Sequence, residues 1–191
     1  MVYGSLKDFS KDIKTVEPKE LITKWLESDW PHAFSDQETY GEFWQVIADD
    51  WPESETIALA GTGNWRYSLN PFKNFREFDA YSDIDVIVIS PEYFERTWVE
   101  LRSYHRANWS QWNNTQRDTI LRSGQNVYCG FVSPKFISDK SNRYRFDFLK
   151  KCNSYSSSLI DHREVNLMFF KSREETIDYY ERGVRLAKGK L

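Results

Sequence analysis

Ser82-Asp83-Ile84-Asp85-Val86-Ile87-Val88-Ile89 is the stretch on which the organisation of this chain turns. From Asp85 to Ile89 it is almost wholly β-branched, the composition of a buried strand. Asp83 and Asp85 stand at the mouth of that strand, two residues apart. Side-chain direction along a strand alternates with a period of two, so both carboxylates are expected on one face. Two carboxylates held that close repel each other and gain most by sharing a cation. Hard oxygen ligands on a stiff strand suit Mg²⁺ (or Mn²⁺), with phosphate oxygens and water completing the shell.

Working upstream, Thr56-Ile57-Ala58-Leu59-Ala60 is a short apolar run that ends in Gly61, a second expected strand. It runs into Gly61-Thr62-Gly63-Asn64-Trp65-Arg66-Tyr67-Ser68. Gly61 and Gly63 let the backbone approach a ligand closely, Thr62 adds a hydroxyl, and the N–H groups of such a turn form an anion cradle. Phosphate on one side and magnesium on the other is the layout of phosphoryl or nucleotidyl transfer. Between turn and acids lies an excursion, Asn70 to Tyr81, with Lys73 and Arg76 in it. Together with Arg66 these cations either reach the phosphates of a ligand or belong to a solvated loop. Other chemistries lack their residues. Gly61-x-Gly63 is followed by neither a third glycine nor a helix-opening pattern, and no Walker-type lysine is present. Ser68 and Ser82 have no nucleophile-elbow context, and His32, His105 and His162 are scattered.

Downstream, Pro91 is expected to open a helix with Phe94, Trp98, Leu101 and Tyr104 on one stripe. A polar helix or loop, Asn108 to Arg122, leads to a third strand expected over Asn126 to Val132. Tyr144 to Lys151 reads as a short helix, Asn153 to Ser158 as a loop, and Val165 to Phe170 as a fourth strand. Glu174 to Lys188 reads as a closing helix with Ile177, Tyr180, Val184 and Leu186 toward the core. Before the first strand, Pro18 opens a helix carrying Leu21, Ile22, Trp25 and Leu26, and Gln37 to about Asp49 is a second, with Tyr40, Phe43, Trp44 and Ile47 inward. The expected fold is α/β or α+β, a small mixed sheet of about four strands flanked by helices. Residues 1–52 form an N-terminal helical extension packed on a domain spanning 53–191.

Bulk properties agree with a single globular unit of 191 residues. No run reaches the roughly 18 apolar residues needed to span a bilayer, and the polar N-terminus is no signal or transit peptide, so a cytoplasmic protein without a membrane partner is expected. Cys129 and Cys152 are the only cysteines, which excludes a disulfide framework. The net charge of −3 hides an asymmetry. Residues 1–95 hold 8 basic against 19 acidic side chains, and residues 96–191 hold 18 against 10. The basic half either attracts polyphosphate or nucleic acid or neutralises the acidic half by packing on it. The Trp-containing segment Trp98 to Trp112, with Arg102, His105 and Arg106, either stacks on bases or places Trp98 in the core and Trp109 and Trp112 against a partner or neighbouring helix, the second being the expectation.

A Gly-Thr turn after one strand, with Asp-x-Asp opening the next, resembles the DNA polymerase β-type nucleotidyltransferase superfamily. The longer string from Gly61 to Pro71, with Phe78 and Ser82-Asp83-Ile84-Asp85 behind it, is similar to a bacterial group of uncharacterised proteins carrying that domain, as is the ending Val165-Asn166-Leu167-Met168-Phe169-Phe170. The resemblance implies Mg²⁺-dependent transfer of a nucleoside monophosphate from a nucleoside triphosphate, such as ATP, to a hydroxyl of a protein, RNA or small molecule. It implies Asp83 and Asp85 as catalytic residues binding two metal ions, and Gly61 and Thr62 on the β/γ-phosphates. The nucleotide site so expected comprises Gly61, Thr62, Gly63, Arg66 and Ser82. Active members complete the site with a third carboxylate on a later strand. Asn166 falls at that position and cannot take up a proton; Asp147 and Glu164 lie near it in sequence. The alternative reading is a catalytically impaired module of the same fold that binds a nucleotide or a partner, as in toxin–antitoxin or phage-defence components.

Overall fold

In the computed structural model, which describes residues 3–191, a four-stranded mixed sheet runs in the order β1-β2-β4-β3. The strands are β1 (Thr56–Ala60), β2 (Ile84–Ile89), β3 (Phe131–Val132) and β4 (Val165–Phe170). β1 pairs antiparallel with β2, β2 parallel with β4, and β4 antiparallel with β3. Eight α-helices surround the sheet among the described residues: α1 (Leu6–Thr15), α2 (Pro18–Leu26), α3 (Gln37–Asp50), α4 (Gly61–Trp65), α5 (Pro91–Asn108), α6 (Asn114–Tyr128), α7 (Arg143–Tyr155) and α8 (Arg173–Lys190). The fold is a small mixed α/β one. Among the described residues no helix is long and apolar enough to cross a membrane.

Both faces of the sheet are covered, which is why β2 is apolar at nearly every position rather than alternating. Val86 and Val88 of β2, with Leu167 and Phe169 of β4, meet Phe43 and Ile47 of α3 and Phe148 and Tyr155 of α7. The opposite parity, Ile87 and Ile89 with Phe170, meets Phe9, Leu21 and Trp25 of α1 and α2 and Val184 of α8. Residues 3–52 therefore feed the cores on both faces. Helix α1 was not expected from its polar sequence, yet Phe9 and Ile13, one turn apart, are fully buried.

Two further expectations need correction. The strand expected over Asn126 to Val132 is confined to its last two residues: Asn113 and Gln116 close a capping box, α6 runs to Tyr128, and Gly130 at φ +86° turns the chain before the two-residue β3. The loop expected over Asn153 to Ser158 begins as the last turn of α7, because Phe148, Cys152 and Tyr155 bury one continuous stripe.

Candidate active site

Gly61 sets the geometry. It follows the last residue of β1 at φ +62°, a left-handed conformation that suits glycine. A Cβ there would lie 2.9 Å from Asp85 Oδ2, so the carboxylate rests directly on the glycine backbone. The sequence gives no sign of the helix that follows, yet Gly61 opens the short helix α4. Ala60 faces Asp85 across β1–β2, and Asp85 faces Asn166 across β2–β4. The central strand thus presents its acid between the glycine bend and Asn166.

Asp85 is largely buried, and its carboxyl is pushed up to about 6, first by burial and then by the charge of Asp83. The charges of Lys135 and Lys73 pull in the opposite direction. Among the described residues only burial and neighbouring charges act on this carboxylate, and no hydrogen-bond donor reaches it. Asp83 is exposed, and its Oδ2 accepts a hydrogen bond of 2.6 Å from Asn166 Nδ2. Asn166 Oδ1 in turn accepts from the ammonium of Lys135.

Gly61, Asp83 and Asp85 open onto a cleft of about 530 Å³. Gly61, Thr62, Asp83 and Asp85 line one end. The excursion supplies Phe72, Lys73 and Arg76, and α8 supplies Tyr179, Tyr180, Arg182 and Leu186. The excursion is a tied loop and not a loose one. Tyr67 bridges to Glu77, Ser68 N–H donates to the Arg76 carbonyl at 2.9 Å, and Phe78 N–H to the Arg66 carbonyl at 2.8 Å. Arg163 fastens its far end, donating to the Ser82 carbonyl at 2.9 Å with its guanidinium over the Phe78 ring.

Four of the expected residues, Gly61, Thr62, Asp83 and Asp85, come together in the cleft, with Asn166 hydrogen-bonded to Asp83 at its edge. Gly63, Arg66 and Ser82 are not among its lining residues. The Gly63 carbonyl accepts from Ala33 N–H at 2.7 Å, and its Cα side faces Ile84 and Phe78. The Arg66 guanidinium is held by Glu77 at 2.7 Å and by the carbonyls of Tyr3 and Gly4, tying the N-terminal segment to the excursion. The Ser82 hydroxyl is used within a turn, exchanging bonds with Asp79. Asp147 pairs with Arg143 along α7. Glu164 gives its carbonyl to Ile84 N–H at 2.8 Å, and its charge is felt at Asp85.

Sequence reasoning missed the α8 wall and Lys135. Tyr179, Arg182 and Leu186 follow one another at i, i+3 and i+7, a second stripe beside the buried one, and that spacing was legible. Leu186, expected toward the core, is 57% exposed and faces the cleft, because the buried stripe is Thr176, Val184 and Ala187. Lys135 left no signal. It lies on the short turn Pro134–Phe136 and reaches Asn166 only through the tertiary fold.

Among the described residues no group of three or more His, Cys, Asp and Glu side chains gathers as a metal cage. Two adjacent carboxylates, one of them without a protein donor and both open to a cleft with cationic walls, nevertheless fit a hard divalent ion whose other ligands are water and phosphate oxygens. Compared with protein-family models, with curated proteins and with solved structures, the chain gives no match.

Proposed function

We propose that this chain is a divalent-metal-dependent nucleotidyltransferase of the DNA polymerase β type, moving a nucleoside monophosphate from a nucleoside triphosphate to an acceptor hydroxyl. The observation that carries this reading is the Asp85 carboxylate, seated on Gly61 beside Asp83 with no donor of its own. A bound Mg²⁺ or Mn²⁺ supplies Lewis-acid polarisation of the phosphoryl oxygens and offsets their charge. Asp83 and Asp85 would hold that ion, and Thr62 with the backbone at Gly61 would approach the leaving phosphates. Lys73, Arg76 and Arg182 offset the charge that builds on the departing pyrophosphate. Both the nucleoside triphosphate and the metal are cytoplasmic solutes, and the acceptor is a hydroxyl of RNA, a protein or a small molecule.

The test is incubation of the chain with each labelled nucleoside triphosphate, Mg²⁺ or Mn²⁺, and RNA, protein and small-molecule acceptors. Label transfer with pyrophosphate release, abolished by Asp83→Ala and by Asp85→Ala, is the expected result. Absence of transfer to every acceptor class ends the catalytic reading. One observation favours a second reading, a binding module without turnover: the residue that faces Asp85 across β2–β4 is the amide Asn166, which cannot take up a proton. Calorimetry separates the two, since tight nucleotide binding without pyrophosphate release supports the module.

A further inference from the structure

The place across the sheet from Asp85 is taken by an amide whose two ends are both engaged. Asn166 Nδ2 donates to Asp83 Oδ2 at 2.6 Å, and its Oδ1 accepts from the Lys135 ammonium. Three consequences follow from these contacts alone. The facing carboxylates number two, Asp83 and Asp85, so their charge is balanced by a single dication. The Asn166 oxygen, which could otherwise ligate a second dication from β4, already accepts from an ammonium whose positive charge repels a cation there. The amide also fixes one oxygen of Asp83, leaving the other to turn toward the cleft. Polarisation along such a chain strengthens both bonds, so the ammonium acts on the acidic pair through the amide.

We propose that this centre takes one divalent ion and that Lys135, acting through Asn166, provides the positive charge that a second ion would otherwise bring. Lys135 is a positioning residue here: it touches neither the ion nor the phosphates and orients Asp83 by way of the amide. The proposal rests on the metal-dependent reading above, and the experiment keeps the two apart.

Mn²⁺ alone is titrated into the full chain and counted by electron paramagnetic resonance, with thermal melts to establish that each variant is folded. The wild-type chain is expected to bind one Mn²⁺. The double variant Asn166→Asp with Lys135→Met removes the ammonium and restores a carboxylate, and is expected to bind two. Lys135→Met alone, which removes one positive charge from beside the acids, is expected to bind its single Mn²⁺ about three- to tenfold more tightly while nucleotidyl transfer slows. Two ions on the wild-type chain overturn the proposal and leave the metal-dependent reading standing. No ion on a folded wild-type chain overturns both. A folded double variant that still takes one ion, or a Lys135→Met variant with unchanged affinity, overturns the role given to Lys135.

Discussion

Asp85 carries two predictions that need only single substitutions. Its folded-state carboxyl is pushed up to about 6 against an ordinary value near 4, so the folded chain holds a proton there that the unfolded chain has released. Stability from this group is therefore full below about pH 4 and is lost as pH rises through about 6. Asp85→Asn removes the loss. Without metal it is expected to raise stability at pH 8 by up to about 3 kcal/mol, with no difference near pH 4, as read by denaturant titration at the two pH values. Excess Mn²⁺ at pH 8 is expected to raise the melting temperature of the wild-type chain and to do so little for the variant. Gly61 is the second residue of this kind. Gly61→Ala meets both a left-handed backbone and the Asp85 carboxylate 2.9 Å away, and is expected to cost about 1–3 kcal/mol with loss of transfer activity, measured by thermal melts and the transfer assay.

Among the elements, α8 does two jobs on two stripes. Val184 and Ala187 bury against the sheet, while Tyr179, Arg182 and Leu186 face the cleft. Arg182→Ala is expected to weaken nucleoside triphosphate binding about tenfold or more with little change in the melting temperature, since its nearest polar contact is a long one of 3.8 Å to Cys129 Sγ. Calorimetry with a non-hydrolysable triphosphate checks the first half and a thermal melt the second. Helix α4 is fixed from its buried side. Asn64 Nδ2 donates to the carbonyls of Trp25 at 2.9 Å and Leu59 at 2.8 Å, joining α2 and β1 to the glycine bend. Asn64→Ala removes both of these buried bonds, although the Trp25 carbonyl still accepts from Ser28 N–H at 3.1 Å, and is expected to cost about 1–3 kcal/mol, read from a denaturant midpoint. The short β3 and the long α6 belong to this scale as well. Asn126 and Val127 read as strand by composition, but the capping box at Asn113 and Gln116 starts a helix upstream that continues through them.

At the scale of the whole molecule the N-terminal helices and the sheet share their cores. Trp25 of α2 stacks on Trp65 of α4 with ring centroids 4.5 Å apart, and Trp65 meets the edge of Tyr180 on α8. On the opposite face Trp51, just past α3, donates to Tyr155 of α7 at 2.8 Å, and Tyr155 donates to Asp50. Residues 3–52 thus supply core side chains to both faces of the sheet. A chain beginning at residue 53 is expected to lack a cooperative transition, whereas the whole chain melts in one step; differential scanning calorimetry distinguishes the two.

What the sequence determined by itself is local and periodic. The β-branched run after Asp85, the glycine at Gly61, the Pro18 and Pro91 helix starts and the two-residue spacing of the acids fix strands, a bend and a shared face through steric and alternation rules that need no partner. Tertiary structure decided everything that depends on who meets whom. It brought Lys135 to Asn166, turned Arg66 away to Glu77, gave α8 its second face, and buried Asp85 enough to push its carboxyl upward. Charge partners and desolvation arise from segments remote in sequence, and residue spacing carries no term for them.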